Sequence, residues 1–190
     1  MVSRSLLLIL SLAAGLLVSP PAFAQEDETG VGQAYVEGGG VFGAGTHGVA
    51  ALGLAAPVAK YLAPFIEFAY APLGSYAFTY GLNETGKGLY RSGLIDVNGG
   101  IDIRFPNKTH WVPYIGLGAG LLHFSASSYT SGFNSTATIN QTRSEFAGSG
   151  SLGALYYFTS HVGLRAEVKG YGASDNRLAR VTAGVFYQFP

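Results

Sequence analysis

Several residue sets in this 190-residue chain have the type and spacing that chemistry requires. Gly43-Ala44-Gly45-Thr46-His47-Gly48 matches G-x-G-x-x-G, with Glu67 roughly twenty residues on, the pattern that cradles a dinucleotide pyrophosphate and holds its ribose. That chemistry needs a buried parallel strand before the turn and a helix after it. Here Glu37 and the glycines 38–40 interrupt the strand, Pro57 interrupts the helix, and no β-α-β units follow, so the segment reads as a small-residue hairpin. His123-Phe124-Ser125 sets a base and a hydroxyl two positions apart, as a serine nucleophile with its general base would require. Asn83, Asn107, Asn134 and Asn140 each open an Asn-x-Ser/Thr triplet, a glycan acceptor in some compartments. The same residue types also make local backbone hydrogen bonds in turns. His47, His110, His123 and His161 are scattered with no pair at ligand spacing, so the sequence predicts no metal and no cofactor. The absence of cysteine excludes disulfides, thiolate metal sites and a thiol nucleophile.

The remaining chemistry-bearing residues are charges that alternate with aliphatics. Over 162–171, Val162, Leu164, Ala166 and Val168 share one face of a strand, and Arg165, Glu167, Lys169 and Tyr171 share the other. Over 93–105, Ile95, Val97, Ile101, Ile103 and Phe105 alternate with Asp96, Asn98, Asp102 and Arg104. A strand with one aliphatic and one ionic face suits a barrel whose exterior meets lipid and whose interior is polar. Glu37, Glu67, Asp96, Asp102, Glu145 and Glu167 are then expected to share the lumen with Arg104, Arg165, Lys169 and Arg180. Eight strands enclose a space that side chains fill, so these charges are expected to pair as a plug.

The positioning elements follow from composition and punctuation. Twenty-eight glycines, 12 tyrosines and 12 phenylalanines with only 12% charged residues suit strands, tight turns and aromatic belts. A formal net charge of zero gives no basic field, and no nucleic-acid partner is expected. Residues 1–24 read as a secretory signal, with Arg4 before an apolar run from Leu6 to Val18 and Ala22-Phe23-Ala24 at the cleavage site. Residues 25–190 form the single remaining domain. Eight strand-like segments are predicted there: 33–43, 47–57, 62–72, 92–105, 111–124, 144–158, 162–172 and 178–189. Short connections alternate with long polar loops at 73–91 and 125–143, as in barrels with short periplasmic turns and longer external loops. Tyr61, Phe105, Trp111, Phe158, Tyr187 and Phe189 lie where strands meet the short turns and are expected to form a lower interfacial girdle.

Three segments carry a family likeness: Gly163-Leu164-Arg165-Ala166-Glu167-Val168, the run Pro113 to Gly120, and the ending Thr182 to Phe189. Together they resemble the bacterial outer-membrane β-barrel family of OmpA/OmpX type, over nearly the whole chain after the signal. The resemblance implies an all-β, eight-stranded antiparallel up-and-down transmembrane barrel in the outer membrane of a Gram-negative cell. It implies lipid and lipopolysaccharide as surroundings and the barrel-assembly machinery as a partner in biogenesis. Family members usually end on an aromatic residue, whereas this chain adds Pro190 after Phe189. The implied role is non-enzymatic: envelope structure or adhesion-like surface interaction, with a surface ligand engaged through loops 73–91 and 125–143 and their Tyr76, Phe78, Tyr80, Tyr90, Tyr129 and Phe133. A narrow, porin-like small-solute channel is the alternative, and a lipid A hydrolase a further one. Lipid A deacylases of this architecture resemble one another in a His/Ser pair near the end of the seventh strand, where Val168-Lys169-Gly170 carries no histidine.

Overall fold

The structure is a computed structural model that describes residues 32–43, 45–80, 86–131, 136–173 and 177–189. The predicted signal segment 1–24, together with Ala44, Asn83, Phe133, Asn134 and Pro190, lies outside the described residues, as does the side chain of Tyr80.

Eight strands run in chain order: β1 (Gln33–Phe42), β2 (Thr46–Ala55), β3 (Leu62–Tyr80), β4 (Gly86–Arg104), β5 (Trp111–Ser131), β6 (Thr136–Tyr157), β7 (Val162–Ala173) and β8 (Arg177–Gln188). Each pairs antiparallel with its sequence neighbour, and β1 closes on β8, giving an up-and-down barrel. Closure satisfies the backbone donors and acceptors of every strand within the wall and removes the sheet edge there. Gln33 pairs with both Ala55 and Gln188, so the chain enters and leaves the barrel at one end, called here the terminal end.

Alternation decides which side chains enter. In β7 the burial pattern changes at every residue from Val162 to Gly172, with Arg165, Glu167, Lys169 and Tyr171 inside. Between the rims, the outward positions of the described strands carry no charge. They present Val36, Leu52, Ile66, Phe68, Val97, Ile101, Leu117, Leu121, Leu152, Val168 and Val185, all exposed. An exposed aliphatic surface encircling the molecule needs an apolar solvent, which a bilayer core provides.

Long polar loops at 73–91 and 125–143 are not found. Most of both segments is strand: β3 and β4 remain paired up to Tyr80↔Gly86, and β5 and β6 up to Ser131↔Thr136. The connections at these tips are the short segments 81–85 and 132–135. The Ser-, Thr- and Tyr-rich sequence there has water on both faces, so it lacks the aliphatic alternation by which a half-buried strand is recognised. Asymmetry between the two ends of the barrel therefore lies in strand length.

At the opposite end from the termini, β1 and β2 turn through Gly43 and Gly45, both with positive φ (114° and 98°). The G-x-G-x-x-G segment is thus an antiparallel hairpin, where glycine reaches a backbone region that other residues disfavour.

Candidate functional site

The interior is stratified. Nearest the terminal end lies an aromatic and aliphatic layer of Tyr35, Ala55, Phe65, Val112, Tyr114, Leu155, Tyr157 and Phe186, with Tyr157 and Phe186 in edge contact at 4.8 Å. At the far end of the barrel, Val41, Val49, Ala51, Ala71, Leu94, Leu122 and Leu178 form an aliphatic seal, capped by Leu73 and Phe124. The void left in this seal is about 10 Å³, on the order of one water. Between the two layers sit the charges.

Arg165 is the hub of this middle layer. Its guanidinium meets Glu37 through Nε at 3.0 Å, Asp102 through Nη1 at 3.0 Å and Glu167 through Nη2 at 2.7 Å. Tyr35 and Tyr114 both face it, with ring centroids 4.4 and 4.5 Å away, a doubled cation–π contact on a fully buried cation. The chain then continues toward the seal: Lys169 Nζ donates to Glu67 at 2.9 Å and meets Glu167 at 3.1 Å. Arg180 donates to Glu67 and Glu167 and lies 3.5 Å from Asp96. Tyr hydroxyls complete it, Tyr171 donating to Asp96 at 2.6 Å and Tyr114 to Glu167 at 3.0 Å. Glu37, Glu67 and Glu167 converge closely enough to hold a cation, and the chain supplies its own in Arg165, Lys169 and Arg180.

Eight of the ten residues expected in the lumen network are therefore contiguous: Glu37, Glu67, Asp96, Asp102, Arg165, Glu167, Lys169 and Arg180. Arg104 and Glu145 are also inward and buried, each with a hydrogen-bond or ion-pair partner outside these eight. Arg104 sits toward the terminal end and donates to Gln33 at 2.8 Å. Glu145 lies at the rim and pairs with the half-exposed Arg143 at 2.7 Å. Gln33, Thr182 and Gln188 are buried polar residues that charge alternation alone does not single out, while Asn98 falls on the polar side of the 93–105 alternation. Their signal is position, since each falls on the inward phase of its strand.

Outside, Tyr61, Phe105, Phe158, Tyr187 and Phe189 are exposed near the terminal end, and Trp111 is half-buried there. Tyr156 joins this set, touching Trp111 at 4.7 Å and Phe158 at 5.3 Å. His123 also faces outward, level with Tyr70, Ile95 and Ser144 across the ladder. Its Nδ1 is hydrogen-bonded with Ser144 Oγ at 2.8 Å, whereas Ser125 Oγ donates to the Gly93 carbonyl at 3.5 Å. The His123/Ser125 pair is thus not made, and no carboxylate lies on this face among the described residues. At Asn107 the carboxamide oxygen accepts from Thr109 N–H at 2.8 Å, the local turn bond expected of an Asn-x-Thr triplet in a tight connection.

Beyond the rim, β3, β4, β5 and β6 continue as a four-stranded sheet. Ser75↔Arg91, Arg91↔Ser127 and Ser127↔Asn140 are one continuous ladder row. Pairing of β2 to β3 ends at Tyr70, and that of β6 to β7 ends at Ala147. Among the described residues, the sheet therefore has two unpaired edges, 71–80 and 136–146. Tyr76, Phe78 and Tyr90 gather on its concave face, with Tyr76 and Tyr90 stacked at 5.1 Å. Tyr129 is exposed on the opposite face.

With two apolar layers closing a paired ionic core, planar-bilayer recordings of the purified protein are expected to show no stable conductance steps. Regular steps that scale with salt would contradict the sealed interior.

No family model matches the sequence, and no curated protein matches it. Solved structures do. The attachment invasion locus protein Ail of Yersinia pestis aligns with 85% of this chain and 99% of its own, at 14% identity and a TM-score of 0.52. Neisserial surface protein A aligns over 84% and 96%, at 14% identity and a TM-score of 0.53. A major outer membrane protein from Thermus thermophilus aligns over 83% and 99%, at 13% identity and a TM-score of 0.54. At this identity the likeness establishes the fold, a closed antiparallel β-barrel shared with these outer-membrane proteins.

Proposed function

We propose that this protein is a non-enzymatic outer-membrane barrel of a Gram-negative cell, whose sealed body anchors a surface sheet that engages a partner outside the cell. The observation that carries this reading is the continuation of β3–β6 past the rim as a paired sheet with free edges at 71–80 and 136–146, over an interior closed at both ends. Exposed strand edges offer unsatisfied backbone groups to an extended segment of another protein, so attachment by strand addition needs no reaction chemistry. Lipid and lipopolysaccharide contact the aliphatic exterior, the barrel-assembly machinery inserts the chain, and residues 1–24 direct its export.

Deletion of 76–90 and 127–140, each replaced by a two-residue turn, trims both hairpins in register near the rim. Adherence of expressing cells to an epithelial monolayer and to one another is expected to fall to the level of the empty vector. The heat-modifiable gel mobility of the barrel should remain. Unchanged adherence by the trimmed protein, or recovery of the wild type from the periplasm instead of the outer membrane, would refute the reading.

A further inference from the structure

We propose that the concave face of the protruding sheet holds a binding site for a neutral saccharide, a deepening that rests on the surface-binding role proposed above. A cavity of ≈ 610 Å³ opens there above the aliphatic seal, lined by Leu73, Tyr90, Ser92, Phe124, Gln141 and Arg143 among others. Its volume lies within the few hundred to roughly 1,000 Å³ of small-ligand sites. Leu73 and Phe124 rest on the seal and give the site an apolar floor.

Tyr90 forms one wall and is backed by Tyr76, their rings stacked at 5.1 Å and 30°. Tyr76 is 59% exposed. It belongs to neither internal layer and pairs directly across the ladder with Tyr90, so the two rings present one continuous aromatic surface with an open face. Aromatic faces combined with convergent polar groups suit a pyranose, which has apolar C–H faces and an equatorial rim of hydroxyls. That rim can both donate and accept, as can Ser92 and Gln141, while Arg143 supplies a planar fork of donors. Charge argues for a neutral sugar. Arg143 Nε is held by Glu145 at 2.7 Å, so the cation at the cavity is already balanced. Lys87 and Arg91, the other cations of this sheet, occupy the opposite phase of β4 and face outward. Because the cavity opens over the barrel mouth and away from the belt, it is placed for a free or partner-borne glycan, not for sugars of the surrounding lipid.

The test uses the refolded barrel in detergent micelles and saturation-transfer NMR with maltohexaose, cellohexaose and N-acetylchitohexaose. Dextran sulfate and lipopolysaccharide vesicles serve as the anionic and lipid arms. At least one neutral oligosaccharide is expected to bind, and Tyr90→Ala and Gln141→Ala are each expected to weaken it by roughly tenfold, one or two hydrogen-bond or stacking contacts' worth. Tyr129→Ala, on the other face, should leave binding unchanged. Gln141 is exposed at the strand edge, so its variant reports on the site even if Tyr90→Ala folds poorly. Absence of binding by all three neutral sugars, binding confined to dextran sulfate or lipopolysaccharide, or equal affinity in the Gln141 variant overturns the proposal. Adherence that is lost on trimming the hairpins but kept in Gln141→Ala also overturns it, while leaving the surface-binding role intact.

Discussion

Replacing Arg165 with methionine is expected to destabilise the folded barrel by about 3–5 kcal/mol, the range seen when one partner of a buried ionic group is removed. The guanidinium is fully buried, contacts three carboxylates and is faced by two tyrosine rings. Its loss does not fall equally on the three anions. Glu167 keeps Lys169 at 3.1 Å and Arg180 at 3.3 Å. Among the described residues Glu37 keeps only the Thr182 hydroxyl, 2.8 Å away, and Asp102 loses its hydrogen-bonded ion pair. The cost should therefore come mainly from two stranded anions, and neutralising them should return much of it. Arg165→Met combined with Glu37→Gln and Asp102→Asn is expected to unfold at a urea midpoint between those of the single variant and the wild type. Urea titrations in detergent micelles, followed by Trp111 fluorescence, measure all three. A single variant within about 1 kcal/mol of wild type, or a triple variant no better than the single, would show that the network is not what holds the middle of the barrel.

Gly184→Val should prevent closure. Gly184 lies on the inward phase of β8, opposite Glu37 of β1. A Cβ at this position would fall on the carbonyl oxygen of Val36 and lie 2.6 Å from the Glu37 Cα. Both obstacles are backbone of the strand that closes the barrel, and neither can swing aside as a side chain would. Overpacking a tight site costs about 1–3 kcal/mol where side chains relax, and a backbone collision at the closing seam should exceed that. Gly148→Val and Gly172→Val, on the outward phase of β6 and β7, are the controls, because a Cβ there meets nothing within 4 Å. Refolding yield, read as the heat-modifiable band on unboiled gels, should be near zero for Gly184→Val and close to wild type for the controls. Equal yields would mean that β8 can shift its register against β1 and that the seam is softer than its geometry.

The faces of the wall were legible in the sequence wherever one side meets lipid and the other a filled lumen. Val162, Leu164, Ala166 and Val168 against Arg165, Glu167 and Lys169 can be read residue by residue, because a period of two under two different solvents leaves a strict alternation. The same logic places Glu37, Asp102, Glu145 and Arg180 inside without any knowledge of their partners. It fails at 73–80, 86–91, 125–131 and 136–143, where strand continues but both faces see water and the composition is that of a turn.

Sequence by itself determined the number of strands, the inward and outward residues of those that divide lipid from a filled lumen, and the presence of buried charge, since each is a local property of alternation and punctuation. Tertiary structure alone decided who meets whom. Asp102 and Arg165 are 63 positions apart, and Glu67 and Arg180 are 113. Lumen neighbours are set by how the strands coil and stagger around a closed wall, a relation that no single strand encodes. That same closure seals the central charges between an aromatic and an aliphatic layer. The β1–β2 and β7–β8 hairpins are shorter than β3–β6 and turn back sooner, which leaves the four-stranded sheet standing free.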